Sequence, residues 1–485
     1  MLSSSRRRKL PQIFFWRGGG KQSYTRGSTF LRELGAQLKR AESDIRRLSM
    51  PREVSQPPSY SAQTPGRFGP ENEFVLPNYD GYCLNNVPRA IRALLEGRGR
   101  AAGRLGSLIE SRTGLRDVRN IVLVLADGLG YGLWEEHAND PGFFATVTKA
   151  GFAQPITTVF PSTTCAALTT LATGLTPQEH GLAEWFLYLR EVDAVIESLP
   201  FRRMGSEMVD ELLAEVDSRV LFSGRPVFES LSEKGVDCHS LLGRGIASTA
   251  YTKLSLSGSN ITGYDSPQEM FQSVTKIVNR ARSPTLVYAY LPNVDSAEHR
   301  YGPRSDEAAL EVASLSAGLG ESLRGLESAA ADSTLVILTA DHGHVQTKPE
   351  EMRYLNRYPA LVSAFERGPT GRQILPAGSP RDVMLHIKKE DYFDAKALLE
   401  AELGSLVVAL STDDALGLGL YGRGSPAQAF RERVGNLLLL MRDSESAWFE
   451  FEGAPPLDLV GMHGGATEDE IMIPLAVAKA SSFKK

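Results

Sequence analysis

The sequence predicts an α/β fold: a three-layer sandwich with a mostly parallel central sheet, plus cap-like insertions. Three continuous apolar runs have the form of buried strands, at residues 121–126, 285–291 and 334–339. Helical stretches separate these runs, which favours a parallel sheet with helices on both faces. Each run also ends in acids or histidines. Because functional groups gather beyond the carboxyl ends of parallel strands, the three strand ends can share one crevice.

Composition supports a large folded core. The chain has 485 residues, of which 42% are hydrophobic, so disorder throughout is excluded. The net charge of -5 conceals an asymmetry, since residues 1–52 hold 13 Lys+Arg and 3 Asp+Glu. We expect residues 1–72 to form a basic, disordered or loosely docked N-terminal extension, followed by a globular domain over residues 73–485.

The N-terminus predicts neither a membrane span nor classical secretion. No apolar run approaches the roughly 18 residues that cross a bilayer, and the basic start is not followed by an apolar signal core. An Arg- and Ser-rich beginning is typical of an organellar transit peptide, but it is equally compatible with an upstream extension in which Met50 is the true initiator. Both interpretations stay open.

Cysteine usage indicates a reducing compartment. Cys83, Cys165 and Cys238 are the three cysteines, and no two lie close in sequence. A disulfide framework or a cysteine-based zinc site is therefore not expected. We expect a cytoplasmic protein, with organellar targeting as the alternative.

Two segments are longer than simple crossovers require, at about residues 185–280 and 345–460. They contain helix and strand signals of their own, such as a helical pattern at 392–403 and an apolar run at 436–441. We expect these insertions to form a cap over the site. A further helix is predicted at residues 87–95.

Candidate metal ligands follow the apolar runs. Asp127 ends the first run, Asp295 and His299 are four residues apart and share one face of a helical turn, and Asp341-His342 ends the third run. His463 lies between glycines that permit close backbone approach to an ion. Each signal alone is weak, but together they supply hard oxygens and imidazoles, a mixture suited to zinc or manganese.

A run of hydroxyls precedes a predicted helix. Ser162, Thr163 and Thr164 stand before Ala- and Leu-rich residues that begin a helix, and Gly174 marks its end. The hydroxyls could simply cap that helix. A hydroxyl there is also well placed for phosphate chemistry, because free N–H groups and the positive dipole end stabilise an anion.

These motifs, in this order over residues 121–475, resemble the alkaline phosphatase superfamily, particularly its type I phosphodiesterase/nucleotide pyrophosphatase branch. In that family the nucleophile lies ten residues before the Gly of a Thr-Gly pair, which selects Thr164 over Thr163. The resemblance implies two ligand sets: one ion on Asp295, His299 and His463, the other on Asp127, Asp341, His342 and the Thr164 oxygen.

The implied activity is that of a phosphohydrolase with two divalent metal ions, zinc first and manganese as the alternative. Thr164 would attack phosphorus in a phosphodiester or pyrophosphate bond and form a phosphothreonine intermediate. The expected substrates are small phosphodiesters, nucleotides or phosphonates, with no binding to nucleic-acid duplexes. A phosphomonoesterase or phosphonate hydrolase of the same superfamily, or a non-catalytic phosphate-binding relative, are the alternatives.

One departure from the family pattern weakens one activity. Nucleotide pyrophosphatases resemble one another in an Asn three residues after the nucleophile, where this chain has Ala167. The sulfatase pattern, in which a modified Cys replaces the nucleophile, is rejected because that position is Thr164. Cys165 is expected to be a packing residue.

The other histidines receive no catalytic role from the sequence. We expect His180 to orient the turn after the nucleophile helix rather than to bind metal. Four further histidines match no motif and are expected to be structural or exposed: His137, His239, His344 and His386. The aromatic cluster at residues 185–188 is expected to pack in the core or cap.

Overall fold

The computed structural model describes residues 65–96, 103–114, 117–454 and 456–484. Most of the predicted N-terminal extension, residues 1–64, lies outside this range. Within the described residues, no helix combines the length and the apolar character needed to cross a membrane.

A seven-stranded sheet forms the centre of the fold, in the spatial order β4, β20, β11, β3, β10, β8, β9. Every neighbouring pair is parallel except those made by β20, which runs antiparallel to both β4 and β11. The strands are β3 (Asn120–Ala126), β4 (Phe152–Thr157), β8 (Asp237–Gly243), β9 (Asn260–Tyr264), β10 (Thr285–Leu291), β11 (Thr334–Thr339) and β20 (Met472–Lys479). The predicted mostly parallel sheet is confirmed.

The three strands predicted from apolar runs lie side by side. All residues of β3, β10 and β11 are buried, which explains why these runs are apolar on both faces. Leu291 pairs with Ala126, and Thr339 pairs with Leu125. The carboxyl ends of the three strands therefore meet at one edge of the sheet.

Helices alternate with the strands along the chain. In chain order the described helices are α1 (Val87–Leu95), α2 (Gly103–Thr113), α3 (Tyr131–His137), α4 (Phe143–Ala150), α5 (Thr164–Thr173), α6 (Pro177–His180), α7 (Val227–Ser232), α8 (Ala250–Ser255), α9 (Pro267–Arg280), α10 (Asn293–Tyr301), α11 (Asp306–Arg324), α12 (Ser328–Asp332), α13 (Pro359–Ser363), α14 (Tyr392–Leu403), α15 (Thr412–Leu418), α16 (Gln428–Val434) and α17 (Glu468–Ile471). The helices predicted at residues 87–95 and 392–403, and the one beginning at Thr164, are confirmed.

A second sheet of seven strands is antiparallel throughout, in the order β16, β17, β15, β14, β5, β6, β7. Its strands are β5 (Phe186–Leu189), β6 (Ala194–Glu197), β7 (Arg202–Arg203), β14 (Ala377–Ser379), β15 (Asp382–Leu385), β16 (Val407–Ser411) and β17 (Leu437–Met441). Both long segments contribute strands to this sheet, whereas β8 and β9 of the first segment belong to the central sheet. That the segments cap the site stays a prediction.

Three two-stranded pairs complete the architecture: β1 (Arg67–Phe68) with β2 (Phe74–Val75), β12 (Val345–Gln346) with β19 (Gly461–Met462), and β13 (Arg353–Tyr354) with β18 (Ala447–Trp448). The pairing of Val345 with Met462 is the important one for the site. It sets the residue before β12 beside the residue after β19, namely His344 beside His463.

Candidate active site

The edge formed by the central strands brings the predicted acidic residues together. Asp127 directly follows β3, Asp341 lies two residues after β11, and Asp295 lies in the first turn of α10, just beyond β10. Backbone bonds join these ends: Asp127 N–H donates to the Leu291 carbonyl at 2.9 Å, and Asp295 N–H donates to the Asp127 carbonyl at 3.0 Å.

Gly128 permits this close approach. Its φ is +80°, and a Cβ there would lie 2.8 Å from the Asp295 Cα and 2.8 Å from Glu298 Oε2. A side chain would therefore push α10 away from the end of β3. This is the physical reason for the Asp-Gly pair that the sequence offered only as a turn signal.

Helix α5 begins at the hydroxyl run. Thr163 is the residue before the helix, but its side chain caps no backbone N–H, and Gly174 ends the helix with φ +73°. Ser162 and Thr163 are buried, whereas Thr164 is partly exposed. The Thr164 Oγ1 lies 3.2 Å from His342 Nε2. Of the three hydroxyls, Thr164 is thus the one that is both accessible and beside the predicted ligands.

Asp127, Asp341 and His342 form what we call the carboxylate cluster. In each of the two carboxylates, one oxygen accepts hydrogen bonds from the protein and the other accepts none from the described residues. Tyr290 donates to Asp127 Oδ2, and the N–H groups of Gly128 and His342 donate to Asp341 Oδ1 at 3.1 Å each. Asp127 Oδ1 and Asp341 Oδ2 are buried without a hydrogen-bond partner among the described residues.

The free oxygens converge with His342. Its Nε2 lies 3.4 Å from Asp127 Oδ1 and 3.6 Å from Asp341 Oδ2. Ligand atoms about 2.0–2.2 Å from one zinc ion are about 3.3–3.6 Å apart in a tetrahedron, so the spacing fits a shared cation. Two buried unpaired carboxylate oxygens need such a partner.

The negative charge of Asp127 is unfavourable among its protein neighbours. Burial, followed by the charges of Asp341 and Asp295, raises its pKa well above the usual value. A divalent cation would reverse this effect by stabilising the ionised carboxylates.

Asp295, His299, His344 and His463 form what we call the histidine cluster. Asp295 Oδ1 lies 3.1 Å from His299 Nε2, 3.0 Å from His344 Nε2 and 3.7 Å from His463 Nε2. One ligand atom each of Asp295, His342, His344 and His463 lie within 4.8 Å of one another, as do those of Asp127, Asp341 and His342. His342 therefore stands between the two clusters.

Backbone carbonyls orient two of these histidines. His299 Nδ1 lies 2.8 Å from the Gly461 carbonyl, and His463 Nδ1 lies 3.0 Å from the Ser162 carbonyl. A carbonyl can only accept, so Nδ1 carries the hydrogen and Nε2 is left free toward Asp295. This is the arrangement that a metal-ligating histidine requires.

The histidine cluster balances its own charge. Burial would raise the pKa of Asp295, but the charge and hydrogen bond of His299, with a contribution from His344, hold it well below the usual value. Burial would likewise lower the pKa of His299, yet Asp295 raises it. The two residues therefore stabilise each other's charged forms.

His344 and Glu298 were missed by the sequence reasoning. His344 was expected to be structural or exposed, but its side chain is fully buried and lies against Asp295. Glu298 is also buried, and its Oε2 lies 3.6 Å from His344 Nε2. A His-x-His pattern in an extended segment places both rings on one side, and this signal could have pointed to His344.

The second sheet supports the loop that carries His463. Arg381, in the turn between β14 and β15, donates to both oxygens of Glu470 at 2.9 and 3.1 Å, and both side chains are fully buried. Glu470 in turn accepts from the Gly465 N–H at 3.0 Å. Ser379 Oγ contacts the His463 carbonyl at 3.4 Å.

The remaining residues behave largely as structural groups. His180 Nε2 lies 3.1 Å from Thr170 Oγ1, and its Nδ1 accepts from the Leu182 N–H at 3.1 Å. Burial lowers the pKa of His180 to about 3, so it is neutral and orients its turn. Cys165 is buried and its pKa is raised by burial, as expected of a packing residue. Like His180, three further histidines lie outside both clusters: His137, His239 and His386.

Comparison with solved structures identifies the fold. Murine ectonucleotide pyrophosphatase/phosphodiesterase 5 superposes with a TM-score of 0.54 at 17% identity, over 74% of this chain and 87% of that one. Phosphonoacetate hydrolase from Sinorhizobium meliloti superposes with a TM-score of 0.52 at 15% identity, over 76% and 95% of the two chains. At these identities the two structures show that the chain shares their fold.

Sequence comparison gives the family. The model of the type I phosphodiesterase/nucleotide pyrophosphatase family matches residues 121–466, and the chain belongs to this family. The venom phosphodiesterase of Crotalus durissus collilineatus is 24% identical over 273 residues, which are 54% of this chain and 30% of that protein. An uncharacterized pyrophosphatase/phosphodiesterase of Schizosaccharomyces pombe is 23% identical over 67% of this chain and 64% of that protein. The matched region is thus less than a third of the length of the venom relative.

Proposed function

We propose that this protein is a metal-dependent phosphohydrolase that cleaves phosphodiester or pyrophosphate bonds through a phosphothreonine intermediate on Thr164. One observation carries the proposal: the partly exposed Thr164 Oγ1, at the start of α5, lies 3.2 Å from His342 Nε2 of the carboxylate cluster. The family match supports the same reaction class.

The donor atoms support the two ligand sets that the family resemblance implies. Asp127, Asp341, His342 and Thr164 would hold one divalent ion, because two unpaired carboxylate oxygens and an imidazole meet there. The other ion would be held by Asp295, His299 and His463, whose histidines turn Nε2 inward. Zinc suits this mixture of oxygen and nitrogen donors, with manganese as the alternative. Such ions lower the pKa of an alcohol and offset charge that develops on phosphoryl oxygens.

The proposed reaction has two steps, both at Thr164. Thr164 Oγ1 forms a bond to phosphorus while the bond to the leaving oxygen breaks, and the departing alcohol takes up a proton. Water then cleaves the phosphothreonine, which restores the Thr164 hydroxyl and releases a phosphomonoester. The first free N–H groups at the start of α5, such as that of Cys165, could donate to the phosphoryl oxygens, as the N-termini of helices do in many anion sites.

Ala167 favours a second candidate within the superfamily. It is fully buried in α5, three residues after Thr164, where nucleotide pyrophosphatases have an Asn. An alanine offers no amide to a phosphoryl oxygen, which weakens the case for a nucleotide substrate. A phosphonate or phosphomonoester substrate is therefore the alternative, and phosphonoacetate hydrolase shares the fold.

The experiment compares kcat/KM for a chromogenic phosphodiester, the matching monoester and a matching phosphonate, on metal-replete and chelated protein. We expect a chelator-sensitive preference for the diester of roughly tenfold or more, in keeping with the match to the type I phosphodiesterase family. Mass spectrometry of acid-quenched protein should find phosphate on the peptide that contains Thr164. Preference for the monoester or the phosphonate would select the alternative, and turnover unaffected by complete metal removal would refute the proposal.

A further inference from the structure

The two ring nitrogens of His344 have the opposite environments to those of the neighbouring histidines. His299 and His463 place Nδ1 against a backbone carbonyl and turn Nε2 inward. His344 instead places Nε2 3.0 Å from Asp295 Oδ1, and its Nδ1 is buried without a hydrogen-bond partner among the described residues. The distance to Asp295 alone fits either a ligand or a donor, so the hydrogen position must decide.

A neutral imidazole has one N–H, which lies on Nδ1 or on Nε2. A hydrogen on Nδ1 would leave a buried donor unpaired, which is the rarer and costlier arrangement. A hydrogen on Nε2 would point at the Asp295 carboxylate. Glu298 Oε2, which is buried and has no hydrogen-bond partner within the described part of the chain, lies 3.6 Å from the same nitrogen. Two carboxylates therefore favour the hydrogen on Nε2, which leaves that nitrogen unable to bind a metal ion.

His386 shows the same pattern away from the clusters. Its Nε2 lies 2.9 Å from the Glu432 carbonyl, and its Nδ1 is likewise buried and unpartnered among the described residues. Because a carbonyl cannot donate, the hydrogen of His386 must be on Nε2. The fold thus already contains one buried histidine that is an Nε2 donor with a bare Nδ1.

We propose that His344 is a positioning residue: its Nε2–H donates to Asp295 Oδ1 and fixes that carboxylate, and His344 does not itself bind the ion. This inference rests on the proposed metal dependence. If His344 is not a ligand, the ion at the histidine cluster would have three protein ligands, namely Asp295, His299 and His463. A fourth ligand would close a tetrahedral site, whereas a catalytic site needs an open position.

The test replaces His344 with side chains that keep or lose the donor. His344→Gln can present an amide N–H near the position of Nε2, His344→Asn can place one only near Nδ1, and His344→Leu has none. Zinc affinity is measured on metal-free protein by competition with a chromophoric chelator. We expect His344→Gln to stay within about threefold of wild type, and the Asn and Leu variants to lose about 10- to 100-fold at one of two sites.

The absorption spectrum of the cobalt(II)-loaded protein provides a readout of the ligand set itself. We expect His344→Gln to keep the wild-type bands and intensities, because no ligand has changed. A changed spectrum in this variant, or the complete loss of one ion, would show that His344 is a ligand and would overturn the inference. Equal zinc affinity in all three variants would overturn it as well, since the donor would then have no effect.

His386→Gln is the matched control, because it makes the same change at a buried imidazole with the same hydrogen position. It should leave zinc affinity and the cobalt spectrum unchanged. If the Leu variant does not fold, the comparison of Gln with Asn still decides. A wild-type chain that binds neither zinc nor manganese would refute the proposed function, and with it this inference. Two bound ions with an altered spectrum in His344→Gln would refute this inference alone.

Discussion

The two halves of the candidate site manage charge in opposite ways. In the carboxylate cluster, Asp127 and His342 are 2% and 0% exposed, and two carboxylate oxygens have no partner among the described residues. In the histidine cluster, Asp295 and His299 are 15% and 24% exposed and stabilise each other's charge. In the first cluster, burial and neighbouring carboxylates disfavour the charge of Asp127. In the second cluster, His299 offsets the charge of Asp295.

This difference separates what a bound ion does in each half. At the carboxylate cluster an ion would relieve the cost of buried negative charge, so its binding is coupled to folding stability. At the histidine cluster an ion would replace an existing interaction between Asp295 and His299. Because the stabilisation by a bound ion depends only on its affinity and concentration, we expect the two clusters to differ most clearly in the stability of the protein without metal.

The largest expected effect belongs to Thr164, which contacts the carboxylate cluster without being needed to hold it together. Thr164→Ala should lower kcat by roughly 10⁴-fold or more, because it removes the proposed nucleophile. Metal content should stay near two ions per chain, since Asp127, Asp341 and His342 remain. Steady-state kinetics and elemental analysis of the same preparation measure both.

Thr163→Ala is the matched control, since Thr163 is a buried neighbour whose Oγ1 lies 3.2 Å from Cys165 Sγ. It should change kcat by less than roughly tenfold. Full activity in Thr164→Ala would end the nucleophile assignment. Loss of an ion in that variant would instead make Thr164 an essential ligand.

The next effect in size concerns the support of the histidine cluster. Arg381→Met removes the partner of the buried Glu470 and should lower the free energy of unfolding by about 3–5 kcal/mol. It should also weaken one zinc site, because Glu470 bonds to Gly465 in the loop that carries His463. Urea unfolding and zinc titration test the two effects separately.

An exposed ion pair supplies the control for that change. Arg225 is 53% exposed and pairs with Glu229 and Glu233. Arg225→Met should cost less than about 1 kcal/mol. An Arg381 variant that is equally mild would mean that the buried pair contributes little to either stability or the His463 loop.

The sequence predicted one half of this arrangement better than the other. Asp127 and Asp341 follow long apolar runs, and the parallel topology brings such strand ends together, so their meeting could be predicted. The His-x-His spacing could have pointed to His344, but it could not show that its partner is Asp295, which comes from another element, α10. The position of His344 beside His463 depends on the pairing of β12 with β19, two strands of only two residues each.

The second sheet escaped prediction for a related reason. Strands β5 and β6 have four residues each, too few for a clear period-two pattern. The contact between β5 and β14 joins residues 186 and 378, which no local signal can anticipate. Arg381 and Glu470 likewise gain their significance from a contact between distant segments. Local motifs therefore predicted the candidate ligands and nucleophile. The contacts that hold those residues in place join distant segments and could not be predicted from motifs.

A smaller effect tests the charge comparison directly. In metal-free protein, Asp127→Asn should raise the free energy of unfolding by about 1–3 kcal/mol, because it removes a buried charge that lacks a partner. Asp295→Asn should lower it by about 1–3 kcal/mol, because His299 and His344 lose a charged acceptor. Urea unfolding at pH 8 in excess chelator measures both. Shifts of the same sign in the two variants would contradict the proposed difference between the clusters.

The smallest effect is the pH dependence of the metal-free protein. The folded-state pKa values of Asp127 and His299 are both raised, so their contribution to stability is largest at low pH and is lost as pH rises. For His299 this loss begins near its ordinary value of 6.5. The lowered pKa of Asp295 acts only in acid, below about 3.8. The contribution of these two groups should therefore fall by about 1 kcal/mol from pH 6.5 to 8.5, measured on chelated protein as the difference in the free energy of unfolding between the wild type and an Asp127→Asn, His299→Asn double variant.

Bound zinc should reverse this pH dependence of the free energy of unfolding. Ligands must lose their protons to bind a metal ion, so affinity rises with pH, by about 1.4 kcal/mol per unit for each proton released. At saturating zinc the free energy of unfolding should rise over the same range, because the bound ions stabilise only the folded chain. Asp127→Asn should flatten the slope of the chelated protein. Parallel pH profiles with zinc and with chelator would show that neither cluster couples metal binding to its protons.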